Sequence, residues 1–262
     1  MEPLTEQTPV ASDRTHSRLS VKVAVAKWVI IAFACLLLTV PYVAGYLFSS
    51  DDYRFQGAVD YVEDVQSYFM WMRSAADHPG LPPNLYLTTS EPPGFFHLLW
   101  VGIGKLSRVT GVPITVLYHL SHVISVLLFL LALWRFIGRF FADNLQTCVA
   151  YGVCVLGSGF GWYTLTYDRA LPAILRNKVL ITDLSLDLWS ADVNTFYSLL
   201  VSPHFALALW LLIEALDRLY GAITTGDKRA RLSGAIFTFV LGFVHVYDMF
   251  IVAAVALVFW AV

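Results

Sequence analysis

Charge is what this sequence has least of. Only 14% of its 262 residues are Asp, Glu, Lys or Arg, whereas 58% are hydrophobic and the mean hydropathy is +0.65. A water-facing domain carries about 25% charged residues, so the composition excludes both a soluble globular enzyme and a disordered chain. Positive charge is not in excess either. The formal net charge is -2, which leaves no basic surface for nucleic acid. Cysteine is scarce too. Cys35, Cys148 and Cys154 each lie inside an apolar run, with neither the placement of a disulfide framework nor metal-ligand spacing. What remains is an integral membrane protein.

Long apolar runs are abundant. About 20 helical residues cross a hydrocarbon core of about 30 Å, and runs of that size occupy residues 28–48, 114–134, 145–166, 196–216 and 232–262. The first follows a polar tail, residues 1–27, holding Arg14, Arg18, Lys22 and Lys27. It lacks a small-residue cleavage site, so it reads as a retained span. Residues 92–106 are apolar but would make a helix of only about 22 Å, suited to the membrane interface.

Basic residues then orient the chain. With 92–106 left at the interface, one side holds ten Lys/Arg in about 53 positions and the other seven in about 94, which places the N-terminus in the cytoplasm. The expected fold is therefore all-α and membrane-integral, with about five transmembrane helices and two large outer loops, near 49–113 and 167–195. Eleven of the 19 acids fall in those loops. The run 232–262 is longer than one span requires. It reads as a helix followed by the start of another span, so that residues 28–262 form a polytopic domain truncated at its C-terminus.

The first outer loop carries the densest polar chemistry. Asp51 and Asp52 follow the first span directly. Ala58, Tyr61, Val62, Val65, Tyr68, Phe69 and Met72 then recur every three or four residues, which predicts an amphipathic helix with Glu63 and Asp64 near its start. Ser90 is the expected N-cap of the short helix at 92–106, which would hold Glu91 and His97 at the same surface. The plainer reading is that these acids solvate an outer face and the prolines begin a helix.

Elsewhere, Gly157, Gly159 and Gly161 suit close helix packing better than a nucleotide loop. His119 and His122 lack a third ligand and suit polar packing. Arg176 and Lys178 either hold a phosphate or pair with nearby acids such as Asp192. His204 lies near the outer end of the fourth run. Asp248, three residues after His245, is an acid deep in an apolar run, and such acids are functional by default. Counted one way it lies near the outer surface; counted another, it is a midplane group suited to proton coupling.

An acidic pair heading an amphipathic helix (EDVQSYFMWMR, 63–73) is followed by EPPGFFHLLW (91–100). Downstream come LGSGFGW (156–162), DLWSADVNTF (187–196), SPHFALAL (202–209) and HVYD (245–248). In order and spacing these segments resemble the GT-C superfamily of membrane glycosyltransferases, the protein O-mannosyltransferase-like and aminoarabinose-transferase-like members in particular. The resemblance covers about residues 28–262. It implies jaw-like interfacial helices in the first outer loop of a bacterial plasma-membrane enzyme. That enzyme would move a sugar from a polyprenyl-phosphate donor to an acceptor on the outer face.

The matching catalytic positions are Asp64 with Glu63 as neighbour, and Asp51 and Asp52 compete for the same role. Arg73, Glu91, His97, Arg176, Lys178, Asp192, His204, His245 and Asp248 would contact donor or acceptor. The departing phosphate needs a cation, either Arg/Lys or a divalent metal ion that Glu63 and Asp64 would hold. Glu91 departs from the superfamily's usual His-Pro-Pro. Two other classes stand beside this one: an ion-coupled transporter centred on Asp248 and His245, and a non-enzymatic membrane assembly subunit.

Overall fold

The computed structural model describes residues 11–87, 92–157, 190–191 and 194–261. Among them every regular element is a helix, as the composition predicts. The helices are α1 (Ala11–Leu47), α2 (Val62–Asp77), α3 (Leu98–Thr110), α4 (Ile114–Ile137), α5 (Asn144–Leu156), α6 (Thr195–Val201), α7 (Pro203–Thr225), α8 (Lys228–Gly242) and α9 (Val246–Ala261). Two of them, Val23–Leu47 within α1 and Ile114–Ile137, are long and apolar enough to cross a membrane.

α1 and α4 lie antiparallel. Tyr42 and Tyr46 meet His122 and His119 at one end, and Lys27 lies over Trp134 toward the other. Ile31, Ala34, Leu38 and Tyr42 form the single buried stripe of α1 and face Val126, Phe129, Leu130 and Leu133 of α4. Within Val23–Leu47 the opposite face is apolar yet uncovered: Trp28, Val29, Phe33, Leu36 and Val40 are all exposed. α5 returns beside α4, and the Tyr151 hydroxyl donates to the Leu130 carbonyl at 3.0 Å.

The interface between α4 and α7 is the most extensive in the bundle. Far from the histidines, Arg135 and Arg218 bind the carboxylate of Glu214, and Arg139 binds that of Asp217. Both carboxylates are buried, with 5% exposure each.

Three boundaries differ from the sequence expectation. The run 196–216 is not one helix, because it breaks at Ser202 into α6 and α7. Pro203 has no N–H for the Leu199 carbonyl and forces Ser202 into extended backbone. His122 Nε2–H supplies the missing donor to the Leu199 carbonyl at 2.7 Å, and the Tyr42 hydroxyl donates to the Leu200 carbonyl at 2.6 Å. The broken helix thus ties α1, α4 and α7 together.

The run 232–262 divides into two helices as expected, but the break comes earlier than one full span from its start. It turns at residues 243–245, and α9 packs back on α7 and α8, with Val252 joining Ala208, Leu211, Ala215 and Leu241. Finally, the short apolar helix begins at Leu98, not at the prolines. Pro92 to Phe96 are non-helical, and His97 is the N-cap, its Nδ1 accepting from the Trp100 N–H at 3.5 Å. Ser90, the expected cap, lies outside the described residues.

α2 and α3 pack on each other across the end of the bundle where α1 finishes and α4 starts. Their crossing is close because Gly104 lies against the Met72 carbonyl, and a Cβ there would come within 2.8 Å of Ala75 Cβ. Residues 158–189, which hold the remainder of the third run and most of the second outer loop, lie outside the described residues.

Candidate functional site

The α2–α3 pair, the starts of α4 and α7, and the α8–α9 turn converge on one cluster of rings. Its centre is Trp100, fully buried on the first turn of α3. Tyr68 stacks on it at 4.5 Å, His97 at 5.2 Å and Tyr118 at 6.2 Å between ring centroids. His204 meets Tyr68 and Trp100 edge-on at 5.1 and 5.5 Å, and lies 6.1 Å from His245. Neutral polar rings suit a buried position better than ion pairs, because they carry hydrogen-bonding groups without the desolvation cost of a charge.

Each histidine is held by a specific partner. His97 Nε2–H donates to the Val244 carbonyl at 3.0 Å, which fixes the tautomer and joins α3 to the α8–α9 turn. Burial lowers the His97 pKa to about 4, the neighbouring His245 adding to the effect and the Val244 bond opposing it. His97 is therefore neutral at pH 7. His204 Nδ1 pairs with the Ser202 hydroxyl at 2.9 Å, and both residues are buried. His245 Nδ1 lies 3.1 Å from the Asp248 carboxylate across the first turn of α9.

The approach to the cluster is acidic. Glu63 and Asp64 are exposed on the first turn of α2. Asp64 lies one turn ahead of Tyr68, whose phenol is held above its ordinary pKa by burial and then by the Asp64 charge. Asp60 precedes the helix and accepts from the Tyr197 hydroxyl. Between them Tyr61 adopts left-handed backbone, φ 51° and ψ 41°, at a cost of about 1–2 kcal/mol for a non-glycine residue. Its N–H donates to Asp60 at 2.7 Å, its hydroxyl accepts from the Ala191 N–H at 3.2 Å, and its ring meets Tyr197 and Phe205. The start of α2 is thereby pinned to the α6–α7 break.

His97, His204, His245 and Asp248, separated by up to 151 residues, are brought together. Asp248 stands beside the α8–α9 turn at the same end as His97 and His204, and not midway along the bundle. Asp51 and Asp52 are exposed in the α1–α2 loop. Asp51 lies 3.8 Å from Arg54 in an open hollow that also includes Tyr46, Ser49 and Ser50. Arg73 pairs with Asp77 at 3.3 Å at the far end of α2. Glu91, Arg176, Lys178 and Asp192 lie outside the described residues, as do Gly159 and Gly161. Gly157 is the C-cap of α5. Among the described residues no group of three or more His, Cys, Asp or Glu side chains is arranged to hold a metal ion. Adjacent Glu63 and Asp64 would need further ligands to do so.

Trp100, Tyr68, Tyr197 and Asp60 are the participants that sequence reasoning did not single out. Tyr68 was visible only as one member of the helical repeat. Comparison with known proteins returned no matching family model, no matching curated protein and no matching solved structure.

Proposed function

We propose that the protein is a membrane glycosyltransferase that moves a sugar from a polyprenyl-phosphate carrier to an acceptor at the extracytoplasmic face. The observation that carries this reading is the α2–α3 pair laid across one end of the bundle. It offers hydrated carboxylates at its entrance and a buried histidine–aromatic cluster beneath. In this reading α1 and α4 cross the bilayer, with the uncovered apolar face of α1 against lipid. The runs 145–166, 196–216 and 232–262 would supply the other three spans, and the N-terminus is cytoplasmic. α2 and α3 are the jaw-like interfacial helices expected from the resemblance to the GT-C superfamily.

Asp64 takes the acceptor hydroxyl proton as the acceptor oxygen bonds to the anomeric carbon. The bond from that carbon to the phosphate oxygen breaks, and polyprenyl phosphate departs with the electron pair. Cations at this face stabilise the charge that develops on the leaving phosphate. His97, His204, His245 and Asp248 line the acceptor side.

The test uses membranes containing the full-length protein and a radiolabelled polyprenyl-phosphate sugar. Label transfer is expected, with loss of at least a hundredfold in Asp64→Asn, within the range of a general base. Undiminished transfer in each of Asp51→Asn, Asp52→Asn, Glu63→Gln and Asp64→Asn would overturn the assignment.

A further inference from the structure

A second feature lies away from the histidine cluster. α7, α8 and α9 enclose a slot of about 450 Å³ whose walls include Ala222, Ala230, Gly234, Ala235, Phe239 and Val252. Small residues create it. A Cβ on Gly234 would lie 3.3 Å from Arg218 Cβ, so α7 and α8 approach closely. α9 is buried at Val252, but farther along Leu257, Val258 and Trp260 are exposed. From Ala230 to Phe239 the slot follows α8 for about 14 Å.

Its mouth has the opposite character. The first turn of α8 exposes Lys228, Arg229 and Arg231, and Arg231 itself lines the slot. The Arg231 guanidinium makes a 3.3 Å bond to the Gly226 carbonyl, which occupies one of its five N–H donors. The adjoining acid, Asp227, caps the helix by accepting from the Arg229 N–H at 2.8 Å. Glu214 and Asp217 are neutralised by Arg135, Arg139 and Arg218. The mouth is therefore positive, and it adjoins an apolar slot of about 450 Å³.

We propose that this slot binds an anionic phospholipid, with one acyl chain in the slot bordered by α7, α8 and α9 and its phosphate against Arg231 and Lys228. Clustered cations at a membrane surface favour such headgroups, and an apolar slot favours the attached chain. The proposal requires the helices to stand in a bilayer but does not rest on sugar transfer.

The full chain is purified, exchanged into nanodiscs of equal phosphatidylglycerol and phosphatidylcholine, and returned to detergent. Retained lipid is then counted by native mass spectrometry. Phosphatidylglycerol is expected to be enriched, with Arg231→Gln lowering its retention about fivefold. Ala235→Phe fills the slot and is expected to abolish retention. Ile236→Phe, which places the same ring at an exposed neighbouring position, is expected to leave it intact. Equal retention of both lipids, native retention in Ala235→Phe, or equal loss in Ile236→Phe would each overturn the proposal. So would displacement by soluble glycerol phosphate at headgroup-equivalent concentration, since that ligand has no chain. The label-transfer assay is read separately, so failure here leaves the transferase reading standing.

Discussion

Glu214 is the most informative single position for the architecture. Its two carboxylate oxygens accept from Arg135 on α4 and from Arg218 one turn later on α7, and its side chain is 6% exposed. Glu214→Gln keeps the shape but leaves two guanidiniums facing a neutral amide. Removing one partner of a fully buried pair costs about 3–5 kcal/mol. Here the Arg135 and Arg218 side chains are 50% and 29% exposed and can turn partly to water, so the cost falls to about 2 kcal/mol. For a chain of this size that lowers the melting temperature by about 4–8 °C, read by thermal unfolding in detergent. The double variant Arg135→Gln/Glu214→Gln removes both charges together and should recover part of the loss, giving a coupling of about 1 kcal/mol or more. A melting temperature within 1 °C of native for Glu214→Gln, or additive single and double effects, would refute the clasp.

Two further predictions concern the α2–α3 pair and its capping histidine. Gly104→Ala should lower the melting temperature by the equivalent of about 1–3 kcal/mol because the new methyl meets helix backbone, whereas Gly102→Ala, with open space at its Cβ, should raise it slightly; equal effects would exclude the close crossing. His97 has a folded pKa of about 4, lowered from 6.5, so between those values the unfolded chain binds the extra proton and stability falls as pH falls, levelling below about 4. His97→Asn keeps a helix cap without the titration, and its melting temperature should decline less steeply than that of the native protein from pH 6.5 to 4.

The apolar runs were legible because long hydrophobic stretches leave few alternatives to helix, and α1 and α4 fall where they were expected. The amphipathic helix was legible for the same reason, since Val65 and Met72, at helical spacing in the sequence, are buried on one face of α2. Breaks inside apolar runs were not. Ser202–Pro203 carried a signal in the proline, yet its consequence depended on His122 and Tyr42 arriving from other helices to replace the lost donors. The turn at 243–245 has no proline. It is stabilised by the Leu98 N–H donating to the Phe243 carbonyl at 3.1 Å and by His97 donating to the Val244 carbonyl, contacts spanning about 145 residues. Arg135, Arg139 and Arg218 are among the ten Lys/Arg counted on one side, and a charge count cannot reveal that they meet Glu214 and Asp217 across an interface.

The two ends of the bundle solve the problem of buried polarity in different ways, and the difference bears on chemistry. At the Arg135–Glu214 end, full charges are buried and consumed by one another, which fixes α4 against α7 and leaves the carboxylates no freedom to react. At the histidine end the buried positions are filled by imidazoles, phenols and an indole, and the imidazoles bond to backbone carbonyls and to the Ser202 hydroxyl. The carboxylates of Glu63 and Asp64 consequently remain outside, exposed on the first turn of α2. A base must be ionised and accessible before it can take a proton from an incoming hydroxyl. Burial of the rings and exposure of the acids are therefore two parts of one arrangement, which leaves accessible carboxylates at the α2–α3 end and interlocked charge at the other.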